Sequence, residues 1–153
     1  MLQVLAVAPA VVDAAYSPQA AQSSPSPQLA REAAVDLVEK NQLAQAFNLI
    51  EGALRQYTDS QELVSMLALI SEAGQDWSKA SIYLERLVRL QGSGVTAETL
   101  SHWVRVLRCQ GDCERAAKLA GNALKMYPGH AMLESESQTL NSILARQSAK
   151  AGA

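Results

Sequence analysis

The chain repeats one local pattern, as NQLAQA at residues 41–46, QDWSKA at 75–80 and GDCERA at 111–116. Each copy consists of turn-forming residues, a larger residue and then an alanine that opens an apolar helix. Ala46 and Ala80 are 34 residues apart, and Ala80 and Ala116 are 36 apart. A period in this range is typical of solenoids built from helical hairpins, which usually bind other proteins. The sequence therefore predicts an all-α superhelix of antiparallel helical hairpins.

The apolar residues between these motifs recur at intervals of three and four. In the first helix of each predicted hairpin the buried stripe is Ala34 and Leu37, then Leu63 and Leu67, then Val104 and Leu107. Second helices continue the pattern after each alanine, as in Leu84 and Leu87. This spacing indicates amphipathic helices, and strand-like alternation is not convincing anywhere.

The motifs resemble the tetratricopeptide repeat, a pair of helices over 34 residues with small residues at fixed positions and a terminal proline. The resemblance covers about residues 29 to 128, and Tyr127-Pro128 matches the proline at the end of the third repeat. Thr58 and Gly92 stand where the first two repeats would have proline, and Val104 is bulky where a small residue is expected. The resemblance implies a superhelix with a concave face lined by the first helices.

The chain divides into a tail, three repeats and a cap. Residues 1–28 are apolar and then rich in serine and proline, the repeats span about 29–58, 60–92 and 96–128, and a capping helix covers 131–146. We expect residues 147–153 to fray. Asp59 with Glu62, or Ser60, is predicted to cap the second repeat, and Gly74 and Gly111 are predicted to be left-handed at the ends of first helices.

The tail at residues 1–28 admits several interpretations. No basic residue precedes Arg31, and Pro9 and Asp13 interrupt the apolar stretch, so a standard secretory signal is disfavoured and the stretch is too short to span a bilayer. An extended linker, a leader remnant, and a segment that docks in its own groove, on a neighbouring subunit or on a partner all stay open.

Composition favours one helical domain that interacts with protein. The net charge is −2, charged residues make up 18% and hydrophobic residues 48%. A chain so sparse in charge leaves apolar surface for a protein or peptide partner. The small negative charge, without a basic stripe, argues against nucleic acid. We expect no cofactor and no metal site.

The residues that could carry chemistry are few. His102 and His130 are the only histidines, and neither lies in a catalytic motif, so we predict that the chain is not an enzyme. Cys109 and Cys113 flank the turn of the third hairpin. They are either free thiols or a disulfide, and a metal site is disfavoured because no further ligands lie nearby.

By the resemblance, partner-binding residues lie on the first helices and form the concave groove. The candidates are Arg31, Val35, Val38, Glu62, Ser65, Leu69, Glu72, Ser101, Arg105 and Arg108. The lysine and asparagine set that holds chaperone C-termini in some family members is absent, since Val35, Met66 and His102 stand at those positions. A segment with apolar anchors, oriented by Arg105 and Arg108 toward acidic residues, is the predicted ligand.

The function predicted from these features is that of an adaptor or assembly subunit in a larger, bacterial complex. The alternative is a small chaperone for secretion or pilus subunits, which rests on size and repeat number alone. A homo-oligomer or a subunit of a multiprotein complex would suit either role. We expect a cytoplasmic protein, with a periplasmic or complex-bound membrane location as the alternative.

Overall fold

The computed structural model describes residues 25–152, which contain seven α-helices and no strand. In chain order the helices are α1 (Pro27–Glu39), α2 (Leu43–Leu54), α3 (Gln61–Ala73), α4 (Trp77–Gln91), α5 (Ala97–Cys109), α6 (Cys113–Met126) and α7 (Ala131–Gly152). A single 3₁₀ turn, Gly92–Gly94, separates α4 from α5. The predicted all-α class is confirmed. Most of the predicted tail lies outside the described residues.

The helices pack as hairpins of consecutive elements. The pairs α1–α2, α3–α4 and α5–α6 form the three predicted repeats, while α2 packs on α3 and α4 packs on α5 to join them. Helix α7 packs on both α5 and α6, so it covers the last hairpin as the capping helix. Leu133 and Leu140 of α7 are fully buried in this contact.

The repeated alanines make this close packing of helices feasible. Ala46, Ala80 and Ala116 all have 0% exposure and lie in the apolar core. A small side chain on the second helix lets the facing helix approach closely, whereas a larger one would have to displace it. The 34- and 36-residue spacing of these alanines therefore decides the hairpin geometry.

Each hairpin turn contains one residue in the left-handed conformation at the first position of the repeated motif. Asn41 and Gln75 have φ of 59°, and Gly111 has φ of 90°. Gly111 was predicted to be left-handed and is, but the prediction for Gly74 is wrong because its φ is −85°. The backbone reverses one residue later, at Gln75, which keeps the second turn in register with the other two.

Polar side chains cap the helices that follow these turns. Asp76 and Asp112 accept hydrogen bonds from the backbone N–H groups of Lys79 and Arg115. At the start of α3 the cap is Ser60, whose hydroxyl accepts from the N–H of Leu63 at 3.2 Å. Asp59 therefore does not form the alternative cap.

The third repeat and the cap show two further features. The Tyr127 hydroxyl at the end of α6 donates a hydrogen bond to the Val95 carbonyl before α5, joining the two ends of the repeat. Helix α7 continues to Gly152, beyond residue 146 where we expected fraying to begin. Residues 147–151 contain neither proline nor glycine that would end the helix earlier. Within the described residues, no helix combines the length and apolar character that crossing a membrane requires.

Candidate functional site

The first helices of the hairpins border two neighbouring cavities on one surface. The α1–α3 cavity has a volume of about 220 Å³ and is lined by Arg31, Val35, Val38, Glu39, Met66, Leu69 and Ile70. The α3–α5 cavity has a volume of about 310 Å³ and extends from Leu69 and Glu72 of α3 to Glu98 and His102 of α5. Leu69 lines both cavities, so together they form one surface, which we call the groove.

The groove exposes large apolar side chains. Val35 is 37% exposed and Leu69 is 43% exposed. They occupy equivalent positions of successive repeats, 34 residues apart. Exposure costs free energy in an isolated chain, and aligned apolar side chains beside a concave surface are typical of sites that bind a partner.

Helices α3 and α5 are less closely packed than the other first helices. Helix α1 packs directly on α3, and α5 packs directly on α7, but between α3 and α5 the main contact runs through α4. The two additional residues of the longer repeat spacing fall near the turn Gly92–Gly94, and Gln91 just before it lines the α3–α5 cavity. The larger cavity of the groove lies at this looser junction.

Side chains of Glu72, His102 and Arg105 join α3 to α5 at one end of this cavity. Arg105 donates a hydrogen bond through Nη2 to Glu72 Oε1. His102 Nδ1 lies 3.3 Å from Glu72 Oε1 and 3.2 Å from Oε2, and it is also 3.2 Å from Arg105 Nη2. The Glu72 side chain is only 6% exposed, so the carboxylate of this cluster is almost fully buried.

The ionisation of Glu72 reflects two opposing effects. Burial raises the pKa of the Glu72 carboxyl, but hydrogen bonds and charge interactions with His102 and Arg105 lower it by more. The pKa of Glu72 is therefore below its ordinary value of 4.5. At neutral pH the α3–α5 junction contains a buried carboxylate that is paired with Arg105.

A second arginine of α5 holds the capping helix. Arg108 donates from Nε to Glu136 Oε1 at 2.7 Å and from Nη2 to Glu136 Oε2 at 3.2 Å. This two-bonded geometry is the strong form of a guanidinium–carboxylate pair. The pKa of Arg108 is raised chiefly by the hydrogen bond to Glu136. Both arginines expected to orient an acidic ligand are thus already paired within the chain.

The predicted site residues fall into three groups. Arg31, Val35, Val38 and Leu69 line the α1–α3 cavity. Glu62, Ser65, Leu69 and Glu72 line the α3–α5 cavity. Ser101, Arg105 and Arg108 line neither of the two cavities. Ser101 has 0% exposure, and its hydroxyl donates to the Glu98 carbonyl at 2.8 Å, so it lies in the core.

Glu98 lines the α3–α5 cavity but was absent from the sequence-based site. It follows Glu62 by 36 residues, the same interval that separates the second and third alanines, so the repeat spacing contained the signal. Both residues lie in the first turn of a first helix, one on α3 and one on α5.

The two cysteines do not form the alternative disulfide. Both are free thiols, with Cys113 buried in the third hairpin and Cys109 half-buried. Cys113 packs in the core cluster that also contains Val104 and Ala116. Among residues 25–152, no group of three histidine, cysteine, aspartate or glutamate side chains is placed to hold a metal ion.

The fold defined by these hairpins is that of tetratricopeptide repeat (TPR) domains. The first TPR domain of the human RPAP3 protein has a TM-score of 0.69 and 14% identity, over 80% of this chain and 94% of that chain. The first TPR of Spaghetti (RPAP3), bound to the HSP90 peptide SRMEEVD, has a TM-score of 0.68 and 15% identity, over 80% and 98% of the two chains.

A third similar structure is a mutant O-GlcNAc transferase from Thermobaculum terrenum, with a TM-score of 0.59 and 18% identity. The similarity covers 77% of this chain but only 23% of the transferase. No protein-family model matches the sequence, and no curated protein is similar to it at the sequence level. The structural similarity thus shows the TPR fold of this chain.

Proposed function

We propose that this chain is a protein-interaction module that binds a peptide or helical segment of a partner protein in the groove. The observation that carries the proposal is the exposure of Val35 and Leu69 at equivalent positions beside the two cavities. An extended or helical segment with apolar anchors spaced along it would cover both side chains and remove them from water. The module would serve as an adaptor or assembly subunit of a larger complex.

The structural comparisons support peptide binding as the use of such a surface. The second TPR domain of human RPAP3, with a TM-score of 0.66, is in complex with the HSP70 peptide SGPTIEEVD, and the Spaghetti domain holds an HSP90 peptide. Both peptides end in EEVD and are acidic. In this chain Arg105 and Arg108 are paired with Glu72 and Glu136, so the proposed ligand is held by apolar contacts instead.

The test compares the full chain with two variants. Leu69→Glu places a charge in the groove, and the control Ile82→Glu changes another exposed apolar residue, which is 63% exposed on α4 and lines neither cavity. Partners are isolated from the source cells with each form, identified by quantitative mass spectrometry and then titrated as purified proteins. We expect Leu69→Glu to weaken binding about tenfold or more and Ile82→Glu to leave it unchanged.

If both variants lose affinity equally, or if neither loses affinity, the groove is not the binding site. The same experiment distinguishes between the possible roles of this chain in the complex. A partner that remains in stoichiometric amounts in the finished assembly identifies a subunit or adaptor, whereas a hydrophobic client that is released before assembly identifies a chaperone.

A further inference from the structure

The free charge of the α3–α5 cavity is negative. Glu62 and Glu98 are exposed and line it, and neither forms an ion pair within 4.0 Å in the part of the chain that the structure describes. The other titratable groups on its wall are Glu72 and His102, and neither lysine nor arginine is among the lining residues. A ligand with a carboxylate would meet only repulsion from these two glutamates.

The inner wall of the same cavity is apolar. Ala68 of α3 and Leu84 and Leu87 of α4 line it, and each is at least 97% buried. Leu69 extends this apolar wall toward the α1–α3 cavity. A ligand group that fits must therefore combine an apolar stem with a polar or charged end.

One buried oxygen of the cavity wall lacks a hydrogen bond. Glu72 Oε2 is buried and accepts none from the described residues, although His102 Nδ1 lies within 3.2 Å of it. His102 Nδ1 carries at most one proton and lies near both carboxylate oxygens, so it cannot satisfy both of them, and Arg105 donates to Oε1 only. A donor brought by a ligand would complete the hydrogen bonding of this carboxylate.

We propose that the α3–α5 cavity binds a lysine or arginine side chain of the partner segment. The methylene stem would pack on Leu84 and Leu87, and the cationic head would lie among the carboxylates of Glu62, Glu72 and Glu98. An apolar residue next to this cation in the partner would reach Leu69. The inference rests on the proposed function and adds to it the chemistry of the partner: a basic residue beside apolar anchors.

The test uses a random peptide library displayed on phage and panned on the full chain. Enriched peptides are expected to carry lysine or arginine next to an apolar residue, and enrichment of acidic peptides would overturn the proposal. If no peptide is enriched, the proposed function itself fails and this inference fails with it.

Titration of one enriched peptide then separates the two hypotheses. We expect the double variant Glu62→Gln, Glu98→Gln to weaken its binding about tenfold, and the exposed control Glu114→Gln on α6 to have no effect. Replacing the peptide lysine or arginine by methionine should weaken binding to the native chain. The same replacement should have little effect on binding to the double variant. If Leu69→Glu abolishes binding while the double variant binds like the native chain, the groove function stands and the cation site is overturned.

Discussion

Glu72 on α3 and Arg105 on α5 form an ion pair across the junction of the second and third repeats, and the Glu72 side chain is 6% exposed whereas that of Arg105 is 37% exposed. The pair links two helices that otherwise contact each other little, because the second repeat packs onto α5 mainly through α4. The charge state of one buried carboxylate therefore contributes to holding the third repeat against the second.

Lowering the pH should reduce the free energy of unfolding, partly because Glu72 becomes protonated. Its folded-state pKa is below the ordinary value, so its pairing contributes stability above the unfolded pKa, and that contribution is lost as pH falls through the folded pKa. We predict that the free energy of unfolding, measured with urea between about pH 7 and pH 3, falls less steeply in Glu72→Gln than in the native chain.

The matched control for this measurement is Glu85→Gln. Glu85 pairs with Arg89 on the same helix, and both side chains are about half exposed or more, so its loss should leave the pH dependence close to native. An unchanged slope in Glu72→Gln would show that this carboxylate does not ionise with a lowered pKa in the folded protein.

The left-handed turn residues predict a stabilising substitution. Gln75 has φ of 59°, a conformation that costs a residue with a side chain roughly 1 to 2 kcal/mol, whereas glycine adopts it freely but loses more backbone entropy. We expect Gln75→Gly to raise the free energy of unfolding by about 0.5 to 1 kcal/mol.

Two substitutions check the reason for this gain in the same denaturation experiment. Gln75→Ala also removes the amide side chain but keeps a Cβ, so it should not stabilise. Gly111→Ala, at φ of 90°, should destabilise by about 1 kcal/mol or more. If Gln75→Ala stabilises as much as Gln75→Gly, the backbone conformation is not the cause.

Arg108 should control the stability of the capping helix. Removing its charge in Arg108→Met leaves Glu136, which is 14% exposed, without its partner. We expect a loss of about 1 to 3 kcal/mol, with amide hydrogen exchange accelerated more in α7 than in α3. The control Lys40→Met breaks a pair whose two side chains are both 60% exposed, and it should leave stability close to that of the native chain. If Arg108→Met accelerates exchange equally in α7 and α3, relative to the native chain, Arg108 has no special role in holding α7.

The sequence was sufficient to predict the hairpins because their geometry depends on local features. The spacing of Ala46, Ala80 and Ala116, together with the caps at Asp76 and Asp112, determines where each second helix begins. The apolar part of the groove was also predictable, since equivalent positions of a repeat face the same way. Val35 and Leu69 lie there for that reason.

The charged part of the groove could not be predicted in the same way. Whether Arg105 faces a ligand or Glu72 depends on the separation of α3 and α5, and this separation is set by tertiary packing rather than by a helical period. Ser101 is buried for a similar reason, because α4 and α7 both pack on α5. The prediction of a left-handed Gly74 was wrong because the position in the repeat, rather than the presence of glycine, fixes the left-handed residue, and that position is Gln75.

The junction of the second and third repeats also yields a prediction about packing. Ala80 has 0% exposure and lies in a cluster with Ala68 of α3 and Val106 of α5, so three helices meet around its methyl group. Ala80→Trp would force these helices apart, and we expect it to lower the free energy of unfolding by about 1 to 3 kcal/mol or more. The control Ala145→Trp, on the exposed side of α7, should change stability by less than about 0.5 kcal/mol. Urea denaturation of the two variants measures the difference, and equal stability would show that the small side chain at position 80 is not required for the contact between repeats.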